Sequence, residues 1–408
     1  MRAGALLPLI SFLDGWYALM IGPYMRSFYK SFALMLTNFL MLLICFNLLL
    51  LGYSRVARHF HPLLAQDSKS GPGAGGNPAW RNRTLTAESF AAVMLRNYDY
   101  DPITQLRLRP LHGRYVNVEA GGFRRVRDQG PWPPDRSALN IFVFGGSTTF
   151  GFLVADDQTI ASYLQQHADG ADRARVNVYN FGRPGYTSTQ ELLLYLSLLR
   201  GGFVPNVAVF IDGLNECQEW TSNPPLGAHW PDEYVYTAIE NAKRSQNTYM
   251  LLLQAIPMAG FARSIAERFG IDRHTDDLQP PPPDVPAYIV DRWLRNKKVI
   301  EILSRGYGVT ADFVWQPVAA YKYDLRYFKF PRTVLQSESW VPAVYPAIEK
   351  LAREGHLDGN FLDLAGLQEG ERRNLYVDGS HYNAEFSDEI ASRIYSFLKT
   401  TGALNQPR

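Results

Sequence analysis

Four short segments, far apart in the chain, hold side chains suited to attack on a carbonyl carbon. The first is "NIFVFGGSTTFGF" (140–152), an apolar run that stops at two glycines and Ser147. The others are "NFGRPGYTS" (180–188), "DGLNE" (212–216) and "YVDGSHYN" (376–383). A serine hydroxyl becomes nucleophilic only with a base beside it, and His381 is the candidate. Asp378, three residues earlier, is near enough to hydrogen-bond the imidazole and fix its tautomer. The oxyanion of acyl transfer needs donors arranged in advance. The Ser147 N–H, the Gly185 N–H and the Asn215 side-chain amide are candidates for that role. Gln316, at the end of "VTADFVWQP", is a candidate substrate contact or a turn residue. Each segment alone is more commonly a turn, a cap or a surface loop. The weight comes from all four occurring together at element ends.

Those elements follow from periodicity. "NIFVFGG", "VNVYNFG", "VAVFIDG", "VTADFVWQP" and "GNFLDLAG" read as strands, and "TIASYLQQHA", "TQELLLYLSLLR" and "AEFSDEIASRIYSFLKT" as helices. Continuous apolar strands separated by helices imply a parallel sheet covered on both faces. The expected fold class is α/β, a doubly wound three-layer domain with right-handed crossovers. Ligand sites in such sheets lie outside the carboxyl ends of the strands, where the candidate residues fall. Gly145 and Gly146 let the chain bend sharply into a helix whose N-terminus points at the reacting centre.

In order and type, the four segments resemble those of the SGNH hydrolases, the GDSL-type esterases. "GGSTTFG" is similar to the serine block with Ser147, and "NFGRPGYTS" to the glycine block, with Gly185 a better donor than Gly182. "GLNE" is similar to the asparagine block with Asn215, and "DGSH" to the D-x-x-H block with Asp378 and His381. The resemblance runs from about residue 140 to the C-terminus and implies a flavodoxin-like α/β/α domain with a serine nucleophile. "GRYVNVEAGGFRR" (113–125) resembles a segment upstream of the serine in membrane-anchored bacterial members. Gly146 stands where the family has aspartate, Thr148 where it has leucine, and Glu216 where aspartate is common. The G-x-S-x-G elbow of α/β-hydrolases is absent around Ser147.

The chain has 408 residues and a formal net charge of +2, so nothing in its charge suggests a nucleic-acid partner. No His/Cys/Asp grouping shows ligand spacing, so neither metal nor cofactor is expected. "FALMLTNFLMLLICFNLLLLGY" (32–53) carries no charge over 22 residues, about the 20 that a spanning helix needs. It reads as an uncleaved membrane anchor. An earlier segment, "ALLPLISFLDGWYALMIG" (5–22), is broken by Pro8, Asp14 and Gly15, and either lies in the interface, re-enters or spans. Arg26 and Lys30 on one side nearly balance Arg55 and Arg58 on the other, so charge alone leaves the orientation open. Cys45 lies in the anchor, which argues against a Cys45–Cys217 disulfide.

The expected organisation is a first membrane or interfacial segment (1–31), the anchor (32–53), a linker and packing arm (54–135) and the hydrolase domain (136–408). The domain carries an insertion at about 217–306. The insertion holds "YMLLLQAIPMAGFA" and the polyproline run "QPPPPD", and would form a lid, a substrate wall, a membrane-facing surface or an ordinary buried helix. The resemblance and the anchor together imply an esterase or acyltransferase at the bacterial inner membrane, its domain in the periplasm. Small acyl esters of envelope or secreted polysaccharide are its implied substrates, with polysaccharide machinery as a possible partner. A lipid or lysophospholipid esterase and a non-catalytic binding or scaffold module of an export complex are the alternatives.

Overall fold

The computed structural model describes residues 22–64, 81–93, 98–101, 103–169, 175–217 and 284–405. The linker 66–78, nearly all of the segment 5–22, and both "YMLLLQAIPMAGFA" and the polyproline run of the insertion lie outside the described residues. The chain divides into two units, one holding residues 1–68 and 241–276, the other residues 69–240 and 277–408.

In the first unit, α1 (Gly22–Leu64) is a helix of 43 residues, about 65 Å at 1.5 Å per residue. Its stretch Ser27–Leu49 is apolar and long enough to cross a membrane. Side chains there face outward, with Phe39, Leu42 and Leu49 all more than half exposed. Two of its polar side chains are satisfied within the helix. Thr37 Oγ1 donates to the Ala33 carbonyl and Asn47 Nδ2 to the Leu43 carbonyl, each at 2.8 Å.

The second unit is built on five parallel strands: β5 (Leu139–Gly145), β6 (Val176–Asn180), β7 (Val207–Asp212), β8 (Thr310–Trp315) and β9 (Phe361–Asp363). Their spatial order is β6-β5-β7-β8-β9, every neighbouring pair parallel. The order reverses between β5 and β7, which makes the crevice beyond their carboxyl ends the natural ligand position. The central runs are mostly apolar because both faces are covered. Phe142 and Phe144 of β5 join one core with Phe210 and Phe313, while Ile141 and Val143 join the other with Val209 and Val314. Phe144, Phe210 and Phe313 stack across three strands with ring centroids 4.8 and 5.4 Å apart.

Helices α5 (Ser188–Arg200), α6 (Val285–Tyr307) and α7 (Val341–Arg353) cover the first face. Helices α4 (Ile160–Asp169) and α8 (Ala384–Thr400) cover the second. Helix α6 is the crossover from β7 to β8, so the last quarter of the 217–306 stretch is part of the layered body. Its start carries Asp284, whose side chain accepts from the Ala287 N–H, and Pro286 in the first turn. Both are ordinary start signals.

Upstream of β5 runs an arm. It contains α2 (Arg83–Val93), the hairpin β1 (Tyr98–Asp101) and β2 (Gln105–Leu108), and the pair β3 (Leu111–His112) and β4 (Asn117–Val118). The Arg124 N–H then donates to the Asn180 carbonyl at 2.9 Å, joining the arm to the outer edge of β6.

Candidate active site

The turn from β5 into the four-residue helix α3 (Ser147–Phe150) is too tight for side chains at its start. A Cβ on Gly145 would lie 2.1 Å from Thr149 Oγ1, and one on Gly146 would lie 2.2 Å from Asn215 Nδ2. The second contact gives a physical reason for glycine before the serine: the asparagine amide occupies the space. Ser147 is left half-buried at the end of the strand.

His381 comes from a hairpin-like loop near the C-terminus. Tyr376 and Tyr382 form an antiparallel bridge, and the Val377 N–H donates to the His381 carbonyl at 2.8 Å. This loop brings the imidazole to the serine. His381 Nε2 lies 2.7 Å from Ser147 Oγ, and His381 Nδ1 lies 2.7 and 2.9 Å from the two Asp378 oxygens. An acceptor-only carboxylate on Nδ1 requires the proton there, which leaves Nε2 free to accept from the serine hydroxyl. Asp378 Oδ1 also accepts from the backbone N–H groups of Ser380 at 2.9 Å and His381 at 2.8 Å. Burial opposes ionisation of Asp378, but its interaction with the His381 ring and these hydrogen bonds outweigh it and hold its carboxyl below the ordinary value.

The two other blocks meet each other at the same edge. Asn215 is buried and its Nδ2 donates to the Tyr186 carbonyl at 2.6 Å, leaving its second amide hydrogen to point elsewhere. Glu216 accepts from the Ser188 N–H at 2.6 Å and the Gly213 N–H at 3.2 Å, stapling the asparagine turn to the start of α5. Gly185 sits in the intervening turn at φ +79, a backbone conformation that glycine adopts without strain. The Gly182 N–H is already given to Asn180 Oδ1 at 3.0 Å, and a Cβ there would meet the Phe150 nitrogen at 2.4 Å. Gly182 is thus a packing glycine pressed on α3. Asp212, behind this turn, is buried and accepts from Trp293 Nε1 at 2.9 Å. Burial and the neighbouring Glu216 charge push its carboxyl well up.

Gln316 is buried, 3% exposed. Its Oε1 accepts from Thr148 Oγ1 at 2.7 Å and lies 3.2 Å from the Tyr382 hydroxyl.

Three residues around the site escaped sequence reasoning. Arg124 is fully buried, its guanidinium donating to the carbonyls of Phe150 at 2.8 Å, Val154 at 2.6 Å and Gly151, and to Asp156 at 3.0 Å. It clamps the loop that follows the serine. Phe152, on that loop, packs its ring 4.8 Å from the His381 ring. Glu338, also buried, accepts from Ser380 Oγ at 3.1 Å, within the D-x-x-H loop. Burial pushes its carboxyl up to about 7, against the lowering effects of Ser380 and His381. A buried arginine inside "GGFRR" was signalled only by the resemblance of that segment, and nothing local marks Glu338 in "LQSESW".

No family model matches the chain, and no curated protein matches it. Among solved structures it is similar to a lipase/acylhydrolase from Enterococcus faecalis, at TM-score 0.36 and 14% identity over 64% of this chain and 96% of that one. It is also similar to a carbohydrate acetylesterase family member from Sinorhizobium meliloti, at TM-score 0.34 and 15% identity over 65% of this chain and 99% of that one. A member of the lipolytic protein G-D-S-L family from Veillonella parvula DSM 2008 matches at TM-score 0.35 and 10% identity, over 64% and 99%. Likenesses this faint carry no weight for function, which rests on the site's own geometry.

Proposed function

We propose that this chain is a membrane-anchored serine esterase or acyltransferase of the SGNH hydrolase type, acting on small acyl esters, acetyl above all, of cell-envelope or secreted polysaccharide. The observation that carries the reading is the unbroken hydrogen-bonded relay from Ser147 Oγ through His381 to Asp378. It is assembled from segments 234 residues apart. Such an arrangement suits general-base activation of an alcohol.

In the proposed reaction His381 Nε2 takes the Ser147 proton as Oγ bonds to the ester carbonyl carbon. The carbonyl oxygen becomes an oxyanion, held by the Ser147 N–H, the Gly185 N–H and the Asn215 amide. The C–O bond to the leaving alcohol breaks, and the imidazolium returns its proton to that oxygen. The acyl-serine is then attacked by water, giving hydrolysis, or by a sugar hydroxyl, giving transfer, with His381 again as base. Asp378 stays ionised and steadies the imidazolium.

The apolar stretch Ser27–Leu49 supports anchoring at the bacterial inner membrane, and the proposed placement of the domain is periplasmic. The proposed organisation is a leading segment 1–31, an anchor 32–53, an arm 54–135 and the hydrolase domain 136–408. Envelope polysaccharide machinery is the proposed partner.

The test uses the full chain in detergent, a fluorophosphonate probe, acetylated glycans and esters of graded acyl length. The expected result is labelling at Ser147 and release of acetate, with Ser147→Ala and His381→Ala inactive but folded. Turnover confined to long-chain or lysophospholipid esters would move the substrate to lipid. An unlabelled serine with every ester intact would leave a binding or scaffold module.

A further inference from the structure

We propose that Gln316 is a positioning residue of this site, its one amide oxygen holding the serine turn and the histidine loop in register. The proposal rests on the reading of Ser147 and His381 given above. Thr148 directly follows Ser147 and Tyr382 directly follows His381. The hydroxyls of both converge on Gln316 Oε1, at 2.7 and 3.2 Å. All three residues are buried, at 3%, 4% and 2% exposure for Gln316, Thr148 and Tyr382. Hydrogen bonds made there are shielded from water and expensive to leave unmade.

Gln316 is well placed to act as a fixed point. It follows β8, while the serine follows β5, and β7 lies between them in the sheet. Its backbone is pinned on both sides. The N–H donates to the Asp212 carbonyl of β7 at 2.9 Å, and its carbonyl accepts from the Tyr345 hydroxyl of α7 at 3.0 Å. The side chain therefore spans the end of β7 from a rigid base. The single Tyr382 hydroxyl proton is shared between Gln316 Oε1 and the neighbouring Pro317 carbonyl, the nearer acceptor at 2.6 Å, so the histidine loop is held to this segment through that one hydroxyl. Ser147 and His381 have no covalent neighbour in common, and their 2.7 Å approach depends on such cross-links. A displacement of about 1 Å at a reacting group can cost on the order of 10²-fold in rate.

The experiment measures kcat and KM for a short-chain ester, the rate of fluorophosphonate labelling and the melting temperature, all on the full chain. The variants are Gln316→Met, which keeps length and loses the acceptor, Thr148→Val, which keeps shape and loses the donor, their double variant, and Thr148→Ser. The expected result is a fall in kcat and labelling rate of up to about 10²-fold in each of the first two, with KM nearly unchanged. The double variant should fall no further than the worse single one, since one hydrogen bond is lost in both. Thr148→Ser should recover most of the rate. Wild-type kcat in folded Gln316→Met or Thr148→Val, losses that multiply in the double variant, or losses in KM alone would overturn the proposal. Should Gln316→Met fail to fold, the contrast between Thr148→Val and Thr148→Ser decides it. An active wild type with normal variants sinks this inference only, whereas a wild type inert toward every ester and unlabelled at Ser147 sinks the esterase reading beneath it as well.

Discussion

Phe152 lies with its ring 4.8 Å from the imidazole of His381, tilted by 56°. On its other side the Phe90 ring of α2 meets it edge-on at 5.3 Å. Two aromatic contacts thus link the arm before the domain to the side chain proposed as the base. The arm does more than fill a surface, because the loop carrying Phe152 is also the loop that Arg124 grips. Four predictions follow from these and the neighbouring contacts.

Arg124→Met should cost about 3–5 kcal/mol of stability, because it strands Asp156 and several loop carbonyls without their donor. The Phe152 loop should loosen as well, so kcat should fall beyond what unfolding explains. Urea unfolding followed by kcat on the folded fraction checks both parts.

Asp378→Asn should keep the fold and lower kcat on the order of 10⁴-fold, since an amide in that place favours the wrong imidazole tautomer. The stability that the carboxylate adds has a definite pH sign. Its folded value is depressed below the ordinary 3.8, so the contribution is present above that pH and is lost as pH falls through the folded value. Melting temperatures of wild type and variant should converge on acidification.

Asn215→Ala should reduce kcat by about 10²–10³-fold with a smaller effect on KM, the signature of a donor used mainly in the transition state. It also removes the hydrogen bond to the Tyr186 carbonyl. A modest drop in melting temperature should therefore accompany the loss, measured on the same preparation.

Glu338→Gln should change the pH dependence of stability. The carboxyl has an ordinary value of 4.5 and a folded value of about 7. Its favourable contribution is fully present below 4.5 and is lost as pH rises through about 7, a swing on the order of 3 kcal/mol. Relative to wild type, the amide variant should gain stability across that window. Thermal unfolding at a series of pH values measures the difference.

The central strands are legible because they are buried on two faces and so run mostly apolar, as in "NIFVFGG" and "VAVFIDG". The ends of those runs pointed to Ser147 and Asn215 for the same reason: a carboxyl edge is where polar side chains can leave the sheet. Helix α6 was hidden by its neighbourhood. Its start signals, Asp284 and Pro286, continue a polyproline run, so local pattern does not separate it from the rest of 217–306. Gln316 stands out in the sequence by its position at a strand end, but its partners Thr148 and Tyr382 are 168 and 66 residues away. Local pattern cannot rank such contacts. Glu338 and Arg124 mark the limit most clearly, since charged residues are ordinarily solvated and their burial depends wholly on which carbonyls and hydroxyls converge around them.

β6 forms one rim of the parallel sheet, and beside it runs the segment that follows Arg124. The Arg124 N–H meets the Asn180 carbonyl, Gln129 Nε2 reaches the Val178 carbonyl at 3.5 Å, and the Tyr179 hydroxyl donates to the Pro131 carbonyl at 2.7 Å. A bare rim invites strand-by-strand recruitment of other molecules. Here the adjoining seat is taken by an irregular ribbon with Pro131, Pro133 and Pro134 nearby, residues that offer no N–H for an incomer to pair with. That self-occupied border guards against chain-to-chain clumping.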